Sequence, residues 1–396
     1  MRILIHDYGG YPFSVELARE LARTGDVVDY AYNFDNTTPK GALDRKSDDA
    51  ESFSLHPLTL GRPLRKYDLI RRFVHERAYG RVLADHIRAT APDVILSGNG
   101  SVDTVPPSMA AARDVGARFI YWFHDIQWIG IRAALAKRLP VGGGLVARRY
   151  RRLERQCLRD SDGVINISDL FADECDAAGV APAARTVLPN WAPIGELPVM
   201  RRDNDWARRH DLVGKTCFLY AGTLGFKHDP SVLFDLAMHF SGRDEVCVVV
   251  VSEGPGAAYL AKRQSETPCP NLRLLPFQSY EDLPAVLASG DVLLAMLDEE
   301  GARFCVPSKI LTNFCAARPV LASLSGANPA ARLIAETGAG IAVPPGNPQA
   351  FLKAAADLAD DGITRGAMGA AGRAYAERAF DVRRIAPRFR KFLTGA

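Results

Sequence analysis

Short apolar segments alternate with longer amphipathic segments along almost the whole chain, and this alternation limits the fold more than any other feature. The pattern is typical of buried parallel strands that are joined by helices. The predicted strands are Ile3–His6, Val27–Tyr30, Val94–Ser97, Phe119–Phe123, Gly163–Ile167, Thr186–Leu188, Cys217–Ala221, Val246–Val251, Leu272–Leu275, Val292–Ala295, Val320–Ala322 and Gly340–Val343. The sequence therefore predicts an α/β protein with two successive doubly wound, Rossmann-like sheets.

The length of the chain predicts two domains. With 396 residues, it exceeds the size of about 250–300 residues at which one core usually divides. We expect the first domain to span residues 1–192 and the second to span 207–379. Residues 193–206 are the predicted linker, because they combine two prolines with a charged run. The last segment, 380–396, is basic and amphipathic.

Charge and cysteine content argue against several classes of protein. A net charge of +3 is too small to indicate a nucleic-acid partner, and no motif for RNA or DNA is present. The seven cysteines contain no C-x-x-C pair, so we expect reduced thiols and a cytoplasmic protein. The chain starts directly with a predicted strand and has no apolar run of about 18 residues. We therefore expect neither a signal peptide nor a membrane span.

The segment from Val306 to Ser323 has the pattern of a polar loop, a short helix and a buried strand. A prolyl turn brings Ser308 and Lys309 to the start of this helix, where free backbone N–H groups favour an anion. Thr312 lies one turn further along on the same face. The segment predicts a phosphate cradle, and an ordinary connection between a helix and a strand is the alternative.

The turn after the first strand argues against two common classes of nucleotide-binding protein. The chain has no G-x-G-x-x-G at this turn and no G-x-x-x-x-G-K-[ST] anywhere, which argues against a dinucleotide dehydrogenase and a P-loop NTPase. Gly9 and Gly10 instead allow the backbone to approach a ligand closely at the carboxyl end of a strand. A simple tight turn is the alternative for this dipeptide.

Further polar groups follow two other predicted strands. His124 and Asp125 come directly after Phe119–Phe123, and Lys227 follows Cys217–Ala221 within a glycine-containing loop. These side chains can serve chemistry at the carboxyl edge of a sheet, although a structural histidine and a solvated lysine are the alternatives. The eight histidines show no metal-ligand spacing beside carboxylates, so we expect no metal site.

Several blocks resemble the retaining glycosyltransferases of family 4 and occur in the order of that family. They are Tyr8-Gly-Gly-Tyr11, His124-Asp125, Val187-Leu-Pro-Asn-Trp191, Tyr220-Ala-Gly-Thr-Leu-Gly-Phe-Lys227, the cradle, and its closing turn Ala317-Arg-Pro-Val320. The resemblance spans nearly the whole chain. It implies the GT-B fold, in which two Rossmann-like domains face a cleft. It also implies that the terminal helix, 380–396, packs back on the first, acceptor-binding domain.

The resemblance implies a role for each of these loops. His124 and Lys227 are the implied catalytic groups, the first on the donor sugar and the second on the leaving diphosphate. Thr312 would bind the ribose, and the main chain of Phe277 would contact the base. The implied partners of Lys227 on the diphosphate are Arg303, Ser308 and Lys309. The other implied donor-side positions are Gly9, Gly10, Gly222, Thr223, Glu253 and Gly254.

The chain departs from the family at two glutamates that normally stand eight positions apart. The corresponding residues are Phe304 and Thr312, while Glu299 and Glu300 come a few residues too early. Thr312 can still bond to a ribose hydroxyl, but hydrogen bonds to a charged group are about twice as strong. The choice of nucleotide is therefore left open, with UDP expected first and GDP second.

Two segments of the first domain are locally basic. Residues 62–88 and 132–159 carry clustered arginines among apolar residues, as do helices that bind an anionic membrane surface. We expect peripheral docking on the inner face of the plasma membrane, which would bring the protein to a lipid-linked acceptor. An ordinary solvated helix face is the alternative.

The residues and the resemblance together predict a glycosyltransferase (EC 2.4). It would move a hexose or an amino sugar from a nucleoside diphosphate to a hydroxyl of a glycan or lipid-linked acceptor, with retention, in the synthesis of a bacterial surface polysaccharide or glycoconjugate. The nucleotide-sugar is a substrate, and no cofactor is expected. Two alternatives stay open: a nucleotide-sugar 2-epimerase of the same fold, and a non-catalytic partner subunit or nucleotide-sugar sensor, which the missing glutamates suggest.

Overall fold

A computed structural model describes residues 1–36, 40–41, 43–65, 68–138, 142–225 and 227–395. The chain divides into two compact units, one formed by Met1–Asn190 with Val382–Ala396 and the other by Trp191–Asp381. Each unit is a parallel sheet covered by helices, which confirms the predicted α/β class with two doubly wound sheets. Lys66, Tyr67 and Leu139 of the two predicted basic segments lie outside the described residues.

The first unit is built on a seven-stranded parallel sheet. Its strands are β1 (Arg2–Asp7), β2 (Val27–Asn33), β3 (Phe53–Leu58), β4 (Val94–Gly98), β5 (Arg118–Phe123), β6 (Gly163–Asn166) and β7 (Arg185–Val187). Its helices up to this point are α1 (Pro12–Arg23), α2 (Leu69–Thr90), α3 (Val105–Val115), α4 (Gln127–Arg138), α5 (Gly143–Asp160) and α6 (Ala172–Ala178). The strand order is β3-β2-β1-β4-β5-β6-β7. The order reverses between β1 and β4, and ligands of open α/β sheets bind beyond the carboxyl ends of strands at such a point.

The strand β3 was missed by the sequence prediction. It contains Pro57, which has no N–H to donate to a neighbouring strand. The structure places β3 at the edge of the sheet, paired with β2 alone, and an edge is where a proline is tolerated. Polar Ser54 and His56 interrupt its apolar residues, and most of its residues are only partly buried, so it leaves no continuous apolar run in the sequence.

The second unit is built on a six-stranded parallel sheet. Its strands are β8 (Thr216–Ala221), β9 (Val246–Val251), β10 (Leu272–Leu275), β11 (Val292–Met296), β12 (Val320–Ser323) and β13 (Gly340–Val343). Its helices are α7 (Asp205–Arg209), α8 (Ser231–His239), α9 (Pro255–Glu266), α10 (Leu283–Ala288), α11 (Lys309–Cys315), α12 (Pro329–Thr337), α13 (Pro348–Asp360) and α14 (Gly362–Ala379). The order β10-β9-β8-β11-β12-β13 reverses between β8 and β11. All six residues of β9 are buried, as expected for a central strand that is covered on both faces.

The segment predicted as a linker, 193–206, is instead a packed part of the second unit. Leu197 and Trp206 are only 2% and 1% exposed, and the indole N–H of Trp206 donates to the side chain of Gln278 at 3.0 Å. Asn204 accepts the N–H of Ala207 and so begins α7. The prolines and charges that suggested a linker therefore belong to an ordered segment of this unit.

The C-terminal helix α15 (Val382–Thr394) belongs to the first unit. Its Phe389 packs edge to face against Trp122 of β5, with ring centroids 5.1 Å apart. Its Arg390 binds the fully buried carboxylate of Asp26 through two bonds of 2.8 and 3.2 Å. One face of α15 thereby completes the core of this unit. Of the described helices, none has the length and apolar content that crossing a membrane requires.

Candidate functional site

In the second unit, glycines let the chain turn sharply at the carboxyl ends of β8 and β9. Gly222 directly follows β8 with φ of 131°, and Gly254 follows β9 with φ of 105°, a backbone conformation that residues with a side chain rarely adopt. The Gly222 N–H donates to the carbonyl of Val251 at 3.0 Å, which ties the two exits together. Beside them, the hydroxyl of Tyr220 donates to the carbonyl of Thr223 at 3.0 Å. These loops therefore have a fixed shape where the strand order reverses.

The ammonium of Lys309 is the central charge of this edge. Its Nζ lies 3.6 Å from the centroid of the Tyr220 ring and so close to Gly222 that a Cβ there would approach it to 3.2 Å. Within the part of the chain that the structure describes, no carboxylate pairs with this ammonium. Burial, and next the charge of Lys227, lower the pKa of Lys309 well below its usual range. Burial thus disfavours the charged form of this amine in the free protein, and a bound anion would favour it.

Lys227 is held by the loop that follows β11. Its Nζ donates to Sγ of Cys305 at 3.3 Å, and that thiol donates to the carbonyl of Gly301 at 3.2 Å. The backbone carbonyl of Lys227 accepts the N–H of Asp298 at 2.9 Å. A Cβ on Gly301 would lie 3.0 Å from Cβ of Lys227, so a larger residue at 301 would displace the lysine. The second amine is therefore anchored beside the first.

The helix α11 places the remaining cradle residues. Ser308 precedes its first residue, is exposed and makes no side-chain cap, so its hydroxyl is available to a ligand. The hydroxyl of Thr312 donates to the carbonyl of Lys309 at 2.8 Å, which leaves its oxygen able to accept a bond from a ligand.

The other predicted positions of this unit follow strands at the same edge of the sheet: Thr223, Glu253, Phe277 and Arg303. Of these, Phe277 is partly buried. Glu299 is exposed and Phe304 is buried, so neither restores the missing carboxylate pair.

His228 belongs to this group and was missed by the sequence reasoning. Its Nδ1 accepts the N–H of Gly225 at 3.0 Å. Burial, followed by the charges of Lys309 and Lys227, lowers the pKa of His228 to about 3, so the ring is neutral. Its position next to Lys227 in the sequence was the available signal.

In the first unit, Asp7 at the end of β1 shapes the Gly9-Gly10 turn, although the sequence reasoning gave it no role. Its carboxylate accepts the N–H groups of Gly9 and Gly10 at 2.8 and 3.2 Å, the hydroxyl of Ser14 and the amide of Asn99 at 3.2 Å. Burial raises the pKa of Asp7 to about 6, although these bonds oppose the rise. Gly10 has φ of 67°. The carboxylate of Asp7 therefore holds the Gly9-Gly10 backbone in the turn where a close approach to a ligand was predicted.

His124 follows β5 at the same edge of the first sheet. Its Nδ1 accepts the side-chain N–H of Asn190 at 3.1 Å. Burial lowers the pKa of His124 to about 3, so the neutral ring carries its proton on Nε2. Among the described residues this Nε2 has no partner, and the absence of a Cβ on Gly98 leaves room for it. A buried donor without a partner is costly and marks a position for a ligand group.

The two units thus carry distinct chemistry at their carboxyl edges. The second offers two amines and a neutral imidazole to an anion, and the first offers a neutral imidazole donor beside a glycine turn. In the described ranges, no three His, Cys, Asp or Glu side chains come close enough together to hold a metal ion.

Comparisons with known proteins agree that the chain is similar to glycosyltransferases. The family described as "Glycosyl transferase 4-like domain" matches residues 9–191, and "Glycosyl transferases group 1" matches residues 216–361. The chain is 30% identical over 233 residues to the putative colanic acid biosynthesis glycosyl transferase WcaI of Escherichia coli K12. It is 24% identical over 268 residues to the probable glycosyltransferase WbjE of Pseudomonas aeruginosa. The matches cover 58% and 67% of this chain but only 56% and 66% of these two relatives, less than two thirds of their length.

A solved structure of Anabaena HepE in complex with UDP-glucose has a similar fold. It aligns with a TM-score of 0.73 and covers 100% of both chains at 16% sequence identity. At this identity the similarity establishes the fold alone.

Proposed function

Because the chain belongs to the GT-B glycosyltransferases in which a glycosyl transferase 4-like domain precedes a group 1 domain, we propose that it transfers a sugar from a nucleoside diphosphate to an acceptor hydroxyl. The sugar is a hexose or an amino sugar, and transfer retains the anomeric configuration. UDP is the first choice of nucleotide and GDP the second. The UDP-glucose complex of a protein of similar fold supports UDP, and the name of the E. coli relative supports a role in surface polysaccharide synthesis.

The observation that carries this proposal is the ammonium of Lys309 above the Tyr220 ring, 3.6 Å from its centroid. Without a carboxylate partner among the described residues, burial of this amine reduces stability in the absence of a ligand, because its charge is either desolvated or lost. A diphosphate would compensate it. Lys227 stands near enough to lower the pKa of Lys309, so a dianion would neutralise two amines at once. A purely structural role explains neither this unpaired charge nor its position where ligands of such sheets bind.

In the proposed reaction, the bond between the anomeric carbon and the diphosphate oxygen breaks, and the acceptor oxygen forms its bond to that carbon on the same face. The proton of the acceptor passes to the leaving diphosphate. Charge accumulates on that diphosphate as the bond breaks, and preorganised cations such as Lys227 and Lys309 lower the barrier by a few kcal/mol each, about the effect of other fixed donors. His124 donates from Nε2 to a hydroxyl of the donor sugar. No metal takes part in this proposal.

The missing glutamates support a second candidate, a non-catalytic partner subunit or nucleotide-sugar sensor. Phe304 is buried, and Thr312 donates its hydroxyl proton to its own helix. Such a protein would bind a nucleotide without turnover. A 2-epimerase would instead invert the sugar at C2. The three functions therefore differ in outcome: a transferred sugar, no product, or a sugar nucleotide inverted at C2.

The deciding experiment combines binding with product analysis. Thermal shifts with UDP, GDP, ADP and TDP, with and without Mg²⁺, name the nucleotide, because a ligand at about 100 times its Kd stabilises by about 2.7 kcal/mol. Sugar nucleotides of the chosen base are then incubated with the protein, and the products are separated and examined by NMR. Release of the diphosphate with an α-configured product from an α-linked donor supports a retaining transferase. Binding without turnover leaves the sensor, and a C2 epimer indicates the epimerase.

We also propose that the first unit docks on an anionic membrane surface. Ile70 and Val74 of α2 are 77% and 51% exposed, and Leu145 of α5 is 70% exposed. Exposed arginines flank them, including Arg71 and Arg148. Apolar side chains that enter the headgroup region, together with cations at about 1 kcal/mol each, are the two contributions that hold a peripheral helix on such a membrane. Docking would bring a lipid-linked acceptor within reach.

A further inference from the structure

Gly225 anchors Nδ1 of His228 and favours one tautomer of the ring. Nδ1 lies 3.0 Å from the backbone nitrogen of Gly225 and 3.3 Å from its carbonyl oxygen. A protonated Nδ1 would face the nearer N–H group and leave it without an acceptor, so the shorter contact favours an unprotonated Nδ1 and a proton on Nε2. No residue in the described ranges accepts a bond from this Nε2–H. The loop thus presents a neutral hydrogen-bond donor in a fixed orientation.

The ring of His228 lies among the groups that define the cationic edge. It stands edge-on to Tyr220, with ring centroids 6.5 Å apart, while Lys309 lies above the same Tyr220 ring. The charged groups that face His228 are Lys309 from α11 and Lys227 from its own loop. Burial, followed by the charges of both lysines, opposes a second proton on His228, so the imidazole is neutral.

We propose that His228 is a donor-binding residue, whose Nε2–H donates to an oxygen of the diphosphate that Lys227 and Lys309 hold. This inference rests on the proposed function and adds to it a third, uncharged contact. Two amines attract a dianion but do little to fix its orientation, because an ammonium is a point charge on a flexible side chain. A histidine held by its own loop can fix the orientation of the ligand, since Gly225 holds the ring at Nδ1 and its nearer N–H favours the proton on Nε2.

Two substitutions at this position separate ligand binding from loop structure. His228→Asn places an amide oxygen near the position of Nδ1, so it keeps the bond from Gly225 and removes the distal donor. His228→Gln places an amide N–H near the position of Nε2, so it keeps the distal donor and removes the acceptor for Gly225. Each variant and the wild type are titrated with UDP, inorganic pyrophosphate and uridine by calorimetry, and their melting temperatures are recorded without ligand.

The proposal expects the asparagine variant to bind UDP and pyrophosphate about 10- to 100-fold more weakly, the loss typical of a hydrogen bond to a charged group. Its melting temperature and its affinity for uridine stay near those of the wild type. The glutamine variant keeps most of the affinity but melts at a lower temperature. In the wild type, titration with pyrophosphate moves the ¹⁵N signal of the His228 Nε2.

Other outcomes overturn the inference in distinguishable ways. If the wild type binds UDP and the asparagine variant binds it equally well, His228 does not touch the diphosphate, while the proposed function stands. If both variants lose affinity in proportion to their loss of stability, His228 is only a structural residue of the loop. If the wild type binds neither UDP, GDP nor pyrophosphate, the inference and the proposed function fail together.

Discussion

The Nζ of Lys309 lies 3.6 Å from the ring centroid of Tyr220, and this cation–π contact joins α11 to the carboxyl end of β8. An aromatic face replaces only part of the hydration that an ammonium loses on burial. The site therefore holds a charge at a cost in stability, and binding of an anion would recover that cost. Sites of this kind commonly trade stability for function.

The first prediction is that Lys309→Met stabilises the free protein while it weakens the binding of UDP. Methionine has a similar length and no charge to desolvate. We expect the free energy of unfolding to rise by about 0.5–2 kcal/mol and the affinity for UDP to fall at least about tenfold. Urea unfolding and calorimetry measure the two effects. Lys262→Met is the control, because Lys262 is exposed and pairs with Glu266 on its own helix, and it should change neither quantity. A Lys309→Met protein that is less stable than the wild type would contradict this account of the site.

A second prediction separates sugar recognition from nucleotide binding. His124→Asn removes the donor at Nε2 but leaves a polar group for Asn190. Loss of one hydrogen bond that strengthens in the transition state lowers kcat about 10- to 100-fold, while the affinity for UDP changes less than about twofold, because UDP lacks the sugar. His239→Asn, on the exposed end of α8, is the matched control and should keep wild-type kinetics. An equal loss of UDP affinity in the His124 variant would instead place His124 on the nucleotide.

Much of the fold followed from local pattern. The strands with strong apolar runs appear in the structure within a few residues of the predicted bounds, and Val246–Val251 has the predicted bounds, because a strand buried on both faces leaves a continuous apolar segment. The edge strand β3 leaves no such segment. The predicted linker also illustrates the limit, since prolines and charges are local features while the burial of Trp206 depends on residues far along the chain.

The candidate site was only partly accessible to sequence reasoning for the same reason. Lys309 and Lys227 could be assigned from motifs, but the role of Tyr220 beneath the amine depends on how β8 and α11 meet. The partner of His124 is Asn190, 66 positions away, and no spacing rule links them. His228 escaped notice because its function depends on a tautomer that only the contact with Gly225 reveals.

The third prediction concerns pH. The pKa of His228 is lowered to about 3 in the folded protein from an ordinary value of 6.5. Between these values the unfolded chain binds a proton at this residue and the folded protein does not, so stability falls as pH drops below about 6.5. Relative to His228→Asn, the wild type should lose up to about 1.4 kcal/mol per pH unit in this window. Urea unfolding of both proteins at pH about 7 and about 5.5 gives the difference, and an unchanged difference would show that His228 is protonated in the folded state.

The fourth prediction tests docking on a membrane. Liposomes with anionic lipids should carry the wild type to the top of a density gradient, and liposomes of neutral lipids should not. Ile70→Ser with Leu145→Ser removes the most exposed apolar side chains, 77% and 70% exposed, and should weaken flotation without loss of UDP binding. Val213→Ser and Ile363→Ser, at exposed positions of the second unit, form the control pair. Recovery of the wild type in the soluble fraction with anionic liposomes would reject docking by this surface.

The fifth prediction follows from the turn that closes α11. Ala317 has φ of 54°, a left-handed conformation that costs a residue with a Cβ about 1–2 kcal/mol. Ala317→Gly removes this strain, although the unfolded chain gains flexibility worth about 0.4–1 kcal/mol. We expect a net stabilisation of up to about 1.6 kcal/mol, seen as a rise in melting temperature of up to about 6 °C. Ala316→Gly is the control, because Ala316 has an ordinary helical φ of −74°. Glycine there relieves no strain, adds flexibility and removes a buried methyl group, so it should lower the melting temperature. If both glycines destabilise alike, the turn stores no strain at Ala317.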